Sequence, residues 1–471
     1  MKKPRIAYFG HHGTTRLQLK VHHCLNEAGI VAENPSFITF NSYWKRKVIK
    51  DFPKAFVILL PTVSEWNRTG KSEPQKSDFK NDEDLLRAWN LDKILRKKPL
   101  PEVAQLWRLT VSRCKEFLDQ AAPDLVISEV IQSLPCYALF RACQRRGIPY
   151  IQWAGSRLPE RMELYLDESG MPYHLDKGTP PRPESLAWAR NYVENIVHPA
   201  YKGPTYMKSV DGGKKFITSE GFLRALRFVA EYIQGGHAEP TAPPFVNFFK
   251  SKLSSLRVRS SHSDPELFKS LEQVKAVTGK KVLFPLHVTP EASTDLWAPK
   301  YNNMLETAKG LIHHLPKDWT LVMKEHRSTV FLQRDPKELE ALHQLPHSLL
   351  ISPLISNEDL FKECQAFIVI TGTFGLEVMA KGYCPITLGK PFYDLSGNTI
   401  PCESFEHFSD CLQQALSRKA DPEKTLRFLA SYYESTGLGI PHNPDIVRGQ
   451  FTDDNIAKIA HSIRIRFLQT G

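Results

Sequence analysis

The run Ile370-Thr371-Gly372-Thr373-Phe374-Gly375-Leu376-Glu377 has the residue types of an anion site. An apolar stretch ends in small residues, and glycines let a backbone approach a ligand closely. A helix opened there would offer free N–H groups and the positive end of its dipole. The Thr371 and Thr373 hydroxyls add donors, and Glu377, one turn further on, is placed to accept hydrogen bonds from ribose hydroxyls. An ordinary tight turn with an acidic residue early in the helix explains the same pattern. A second cluster, Met323-Lys324-Glu325-His326-Arg327, follows another apolar run and could neutralise a diphosphate or a phosphodiester. Its plain alternative is a solvated charged loop. A third connection, Phe284 to Thr294, crowds His287, Glu291, Ser293 and Thr294 together. Three apolar runs of one region thus end in polar or ionisable groups, and that coincidence weighs more than any one of them.

The elements that must position these groups are legible from Lys280 to Ser417. Short apolar runs recur at 282–284, 321–323, 349–351, 367–370 and 385–388. Helix-like segments separate them; in the first, Leu305, Ala308, Leu311, Ile312 and Leu315 share one face. Further helical segments are read at 336–345, 357–364, 374–381 and 405–416. This alternation predicts a parallel sheet covered on both faces, a Rossmann-like domain whose strand ends collect ligand-binding groups. The first half repeats the rhythm more weakly. Strands are expected at 5–9, 36–40, 56–60, 124–128 and 149–153, with a helix over 133–146 closed by Gly147. Two stretches interrupt it, the charged 62–101 and the mixed 156–264; within the latter, 235–264 has the proline and serine content of a domain junction. The tail from Asp421 reads as helical, and its stripe of Ile456, Ile459, Ile463 and Phe467 suits core packing better than a membrane contact.

Composition sets the outer limits. The 471 residues are 41% hydrophobic and 24% charged, with 34 prolines and 25 glycines, which excludes global disorder and long coiled coils. The net charge of +11 favours anionic partners, yet no recognition module or aromatic-interleaved basic stripe points to nucleic acid. Runs such as Ala55 to Leu60 fall far short of a membrane span. The apolar segment after Met1-Lys2-Lys3-Pro4 stops at Gly10-His11-His12, too short for a signal core, so a cytoplasmic protein is expected. The eight cysteines show no Cys-x-x-Cys pair and read as reduced, mostly buried thiols; no His/Cys cluster has metal-ligand spacing.

The combination of VLFPLHVTPEAST, LVMKEHR and VITGTFGLEVMAKGYCPITLGKPFYDLSG resembles the bacterial capsule polysaccharide biosynthesis proteins, GT-B-type glycosyltransferases that include the Kdo-transferases of capsule assembly. The resemblance covers roughly residues 280–400. Lys324 and His326 match the family's phosphate-binding Lys-x-His-Pro element, with Arg327 standing where the family has proline. Thr371, Gly372, Thr373, Gly375 and Glu377 fall on its Thr/Ser-Gly loop and Gly-x-Glu.

The resemblance implies an α/β, GT-B-like fold of two Rossmann-like domains with parallel sheets facing an interdomain cleft. Residues 1–265 would form the acceptor side, 266–420 the nucleotide-sugar side, and 421–471 helices packing back across both. It implies a nucleotide-sugar site of His287, Glu291, Ser293, Lys324, His326, Thr371, Gly372, Thr373, Gly375 and Glu377, with no metal and no cofactor beyond the donor itself. The acceptor domain would supply a base. Glu129, after the strand at 124–128, is the leading candidate, with His11 and His12 as rivals; a surface carboxylate capping the helix near Ser133 is the plain alternative for Glu129. Arg157 and Arg161 could grip an acidic acceptor. The implied function is a sugar-nucleotide-dependent glycosyltransferase of capsule or other surface polysaccharide. Its partners would be a nucleotide-sugar, a glycan or glycolipid acceptor and the polysaccharide-assembly proteins, with room for peripheral contact at the inner membrane face. A sugar-nucleotide epimerase, a CDP-polyol phosphotransferase and a non-catalytic assembly scaffold are the alternatives.

Overall fold

The computed structural model describes residues 3–11, 13–61, 82–92, 94–175, 178–198, 230–231, 234, 266–289, 291–326, 334–443 and 451–468. Residues 62–81, 235–264, His12 and Arg327, on which some of the expectations above rest, lie outside them.

In chain order the strands are β1 Ile6–Gly10, β2 Ser36–Thr39, β3 Phe56–Leu59, β4 Leu125–Glu129, β5 Tyr150–Gly155, β6 Arg161–Tyr165, β7 Lys280–Pro285, β8 Trp319–Lys324, β9 Ser348–Ile351, β10 Ala366–Val369, β11 Ile386–Thr387, β12 Ile400–Pro401 and β13 Gly437–Leu438. The helices are α1 Thr14–Glu27, α2 Ser42–Asp51, α3 Glu83–Leu91, α4 Leu100–Ala121, α5 Leu134–Gln144, α6 Pro183–Val197, α7 Leu271–Ala276, α8 Met304–His313, α9 Pro336–His343, α10 Asn357–Glu363, α11 Phe374–Ala380, α12 Phe408–Ser417, α13 Pro422–Ser435 and α14 Asp453–Ile463.

These elements form two α/β units, each built on its own sheet. The first takes its described residues from 1–168 and 435–471, with residues 230, 231 and 234; the second takes them from 169–203 and 243–434. Both units are therefore discontinuous in sequence, whereas the sequence reading divides the chain at 265/266 and keeps 421–471 together.

The first unit carries a seven-stranded sheet in the order β13-β6-β5-β4-β1-β2-β3. β5 through β3 run parallel, β6 is antiparallel to β5, and β13 is antiparallel to β6. Ile6, Ala7, Tyr8 and Phe9 are all buried, as both faces of a covered parallel strand must be. The tail is not helical throughout: after α13 it adds β13 to the sheet edge before α14. Ile456, Ile459 and Ile463 on α14 are buried, and α14 packs on α1. Helix α5 begins without a cap bond from the Ser133 side chain. The Leu134 N–H instead donates to Asp92 Oδ2 at 3.1 Å, while Asp92 Oδ1 accepts from the N–H groups of Ile94 and Leu95. The plain alternative for Glu129, capping this helix, is thereby filled by another residue.

The second unit holds a fully parallel six-stranded sheet, β12-β11-β10-β7-β8-β9. Its core joins Val282, Phe284, Leu321, Met323, Ile368 and Ile370 to Ala308 and Leu311 of α8, on the face anticipated from their spacing. Side chains of Asn303 and Ser356 cap α8 and α10 by accepting the third backbone N–H of each helix, at 3.1 Å in both cases.

Candidate functional site

In the second unit, the chain leaves β7 toward β8 on one side and later enters β10 on the other. β7 and β10 are neighbours, so the crevice outside their carboxyl ends is a topological switch point, where open parallel sheets collect ligands. The three polar connections singled out from the sequence follow β7, β8 and β10, which are adjacent strands.

Lys324 ends β8 and is only 8% exposed. Its Nζ donates to Asn357 Oδ1 at 2.6 Å, and Asn357 Nδ2 donates to Glu377 Oε2 at 2.9 Å. Glu377 is thus linked to Lys324 through the first residue of α10. Thr371 Oγ1 donates to the Ser293 carbonyl at 2.8 Å, drawing the β10 loop onto the β7 loop. Ser293 Oγ lies 2.8 Å from Glu291 Oε2 and 3.4 Å from His287 Nδ1. Both glycines stand against aromatic rings. A Cβ on Gly375 would come within 2.5 Å of the Tyr393 ring, and one on Gly372 within 3.3 Å of the His287 ring. The Tyr393 hydroxyl also donates to the Gly372 carbonyl at 2.9 Å. The Tyr393 ring by itself accounts for glycine at position 375, whereas at position 372 a small shift of the His287 ring would make room for a Cβ. The helix opened after Thr373 is seven residues long, and the Thr373 side chain makes no cap bond.

Two imidazoles flank this chain of contacts. Burial pushes His287 down to about 3, with His326 and Arg334 adding to the effect; burial pushes His326 down to about 4, Glu325 partly opposing it. At neutral pH both rings are uncharged, so the cation of this cluster that is placed here is Lys324, and His326 offers a neutral ring rather than a second positive charge. Beneath them lies a pair that the sequence reading missed. Arg334 Nε donates to Glu325 Oε2 at 2.7 Å, its Nη2 to the His287 carbonyl at 2.7 Å, and its Nη1 to Glu338 at 3.0 Å. The Glu325 and Arg334 side chains are 0% and 2% exposed. The signal was an acidic residue inside a cationic motif, but its partner lay nine residues on, with nothing in the spacing to single it out.

The first unit has a switch point of its own between β1 and β4. Glu129 closes β4, and its Oε2 lies 3.2 Å from Nδ1 of His11, the residue after β1. Its Oε1 accepts from the hydroxyl of Thr14, the first residue of α1, at 2.5 Å. A carboxylate only accepts, so Nδ1 of His11 carries a proton in this contact, and in the uncharged form of the ring the opposite nitrogen, Nε2, has the lone pair. The leading base candidate and one of its rivals are therefore a contacting pair. Arg157 and Arg161 do not lie as two solvated guanidiniums on a loop. Arg157 Nη1 is 2.6 Å from Glu163 Oε2, whose side chain is 1% exposed, and Arg161 opens β6 and donates to Thr436 Oγ1 and O at 2.5 and 2.8 Å. Arg157 thus holds β6, and Arg161 ties it to the residue before β13.

Buried neutral histidines make stability depend on acidity. His22 is held down to about 4, chiefly by burial, alongside His326 at about 4 and His287 at about 3. The unfolded chain takes up these protons near pH 6.5, the folded chain only near pH 4 or below. Their contribution is complete above about pH 6.5 and is lost as the pH falls toward about 4. Asp394, raised by burial to about 6, acts in the opposite sense and offsets one of the three. Urea midpoints are expected to fall over that window; midpoints that stay flat between about pH 6.5 and 4 would refute this accounting.

Fold and site together define a protein of two Rossmann-like units with polar clusters at the carboxyl ends of their sheets. Residues 244–414 match the model of the capsule polysaccharide biosynthesis protein family, a segment that contains β7 through β12. The resemblance read from the sequence is to this same family. Comparison with curated proteins gave no match. Solved structures similar to the chain include the β-Kdo 2,4-transferase KpsC of Thermosulfurimonas dismutans, at 13% identity over 67% of this chain and 82% of that one, with a TM-score of 0.37. The UDP-GlcNAc 2-epimerase of Neisseria meningitidis is 13% identical over 92% and 98%, with a TM-score of 0.28, and the UDP-N-acetylglucosamine 2-epimerase of Rickettsia bellii is 11% identical over 99% and 97%, at 0.31. Among the described residues no helix is long and apolar enough to cross a membrane, and no group of three or more His, Cys, Asp or Glu could hold a metal ion.

Proposed function

We propose that this chain is a sugar-nucleotide-dependent glycosyltransferase of surface-polysaccharide assembly, its second unit binding the donor and its first the acceptor. The observation that carries the reading is the convergence of the β7, β8 and β10 loops at one switch point, inside the segment that matches the capsule biosynthesis family. There Lys324 supplies positive charge to the leaving nucleoside diphosphate or monophosphate, and the His326 and His287 rings supply neutral hydrogen-bonding groups. Glu377, oriented by Asn357, accepts from ribose hydroxyls. In the first unit Glu129 holds the His11 ring by Nδ1, and Nε2 takes the proton of the attacking acceptor hydroxyl. Leaving-group charge is met by protein groups, so turnover is expected to survive EDTA; strict dependence on magnesium or manganese would contradict this.

The first test is a thermal-shift series with CMP, CDP, UDP and GDP compounds. One nucleotide class should raise the melting temperature, because a ligand that binds only the native state stabilises it by RT ln(1 + [L]/Kd). His326→Ala should reduce that shift and leave the unliganded melting temperature almost unchanged. No stabilisation by any of the four classes would overturn the reading, and release of free sugar epimer without any transfer product would replace it with an epimerase.

A further inference from the structure

The segment that follows β13 brings one more titratable side chain to the first unit's switch point. Gly439 turns the chain in the left-handed region, at φ +95°, where a Cβ would lie 2.7 Å from Ile459. Asn455 of α14 then clamps the next residue from both sides. It accepts from the Ile440 N–H at 2.8 Å, and its Nδ2 donates to the Ile440 carbonyl at 3.1 Å. Two residues beyond this clamp, the half-buried His442 ring lies against Gly155, the last residue of β5. It fills the place of a side chain at position 155, since a Cβ there would overlap Nε2 and Cε1 of the ring.

The register fixes which face of the sheet this is. Glu129 pairs with Trp153 in the parallel ladder, so their side chains share a face, and position 155, two residues on, shares it too. His442 therefore stands on the Glu129 face of the sheet, at the carboxyl end of the strand next to β4. The carboxylate is near enough for its charge to act on the imidazole, against the burial that lowers the ring's proton affinity. His11 and Thr14 engage the same carboxylate from the β1 side.

We infer that His442 is a ligand-binding residue of this site, which with His11 and Glu129 holds neighbouring hydroxyls of a polyhydroxylated ligand of the sugar class. A carboxylate oxygen accepts from more than one donor, and hydroxyl groups are donors it takes readily. An uncharged imidazole donates from one nitrogen and accepts at the other, which matches a hydroxyl in either role. The inference rests on reading the first unit as the acceptor side and names the residue that would complete it.

The test uses the full chain with ring-labelled histidines, followed by NMR during titration with methyl hexopyranosides; cyclohexanol, with a single hydroxyl, is the control. The His442 and His11 resonances should move together along one saturating curve with a glycoside and not with cyclohexanol. His442→Gln should weaken that binding about tenfold, the size of one lost hydrogen bond, with an unchanged melting temperature. Gly155→Ala, which fills the seat, should remove the glycoside response at position 442 without replacing His442 itself. A His442 resonance that no glycoside moves, one that cyclohexanol moves equally, or full affinity in His442→Gln would overturn the inference. Nucleotide titration of the same sample, read on His326, separates the two proposals. Nucleotide binding with a silent His442 overturns this inference alone, and glycoside binding at His442 with no nucleotide bound overturns the transferase reading alone.

Discussion

Glu129→Gln is expected to lower turnover by about 10²–10⁴-fold while leaving nucleotide affinity unchanged. The amide keeps the size of the carboxylate and an oxygen for Thr14 or His11, so the positions seen at 2.5 and 3.2 Å need not move. It loses the negative charge that sets the His11 tautomer and stabilises the imidazolium formed when the acceptor hydroxyl gives up its proton. A base acts on the acceptor in the transition state, so the loss should appear in kcat far more than in donor binding. The contact between the two residues adds a sharper expectation. If they work as one unit, His11→Ala and Glu129→Gln are not additive, and the double variant should be little slower than the worse single one. Multiplicative losses would separate the residues, and a Glu129→Gln enzyme with nearly full activity would remove Glu129 from the chemistry.

Where apolar periodicity is unbroken, the fold was readable from sequence alone. β1, β7, β8 and β10 are buried on both faces, and their continuous apolar runs announced them within a residue or two of their ends. β6 was not legible because Glu163 stands at its centre and Arg161 at its start, and such a pattern argues against a strand. Only the fold shows that Glu163 is neutralised by Arg157 and by hydrogen bonds from Ser156 and Tyr165. β13 is two residues long and exists because an edge was open to it, information that no local window carries. Helix α3 was hidden in a stretch that reads as charged, although Asp82 caps it and Leu85, Ala88 and Leu91 form its buried face.

The candidate sites divide along the same line. Polar residues directly after strands could be named because chain direction in a parallel sheet sends every such loop to one end. Residues that act through the third dimension could not. Asn357 lies between Lys324 and Glu377 although it is 33 positions from one and 20 from the other, and His442 reaches the β5 end from the far end of the sequence. Gly372 and Gly375 show a related limit of what a sequence carries. A glycine marks a close approach, but the sequence cannot say whether a ligand or, as here, the rings of His287 and Tyr393 make it.

Arg334→Met is expected to be the most damaging single change in the second unit, costing about 3–5 kcal/mol of stability. The guanidinium is enclosed, and removing it strands the Glu325 carboxylate, which is 0% exposed, and leaves the His287 carbonyl without its 2.7 Å donor. Among the described residues Glu325 then keeps the bond from the His326 N–H, at 2.6 Å. A stranded buried carboxylate is relieved by protonation, so the variant's stability deficit should shrink as the pH is lowered. Replacing both partners tests whether the pair serves stability or position. A buried ion pair roughly balances its own desolvation, so Glu325→Leu combined with Arg334→Met should recover much of the stability lost by the single change. Nucleotide binding should not recover with it, because Arg334 joins the β7 loop at His287 to the β8 loop at Glu325 and so sets the distance between two sides of the proposed donor site. Chemical denaturation and nucleotide titration on the three proteins read the two effects separately. Recovery of both would reduce the pair to a packing element, and a single variant as stable as the parent would show that the carboxylate is not held by Arg334.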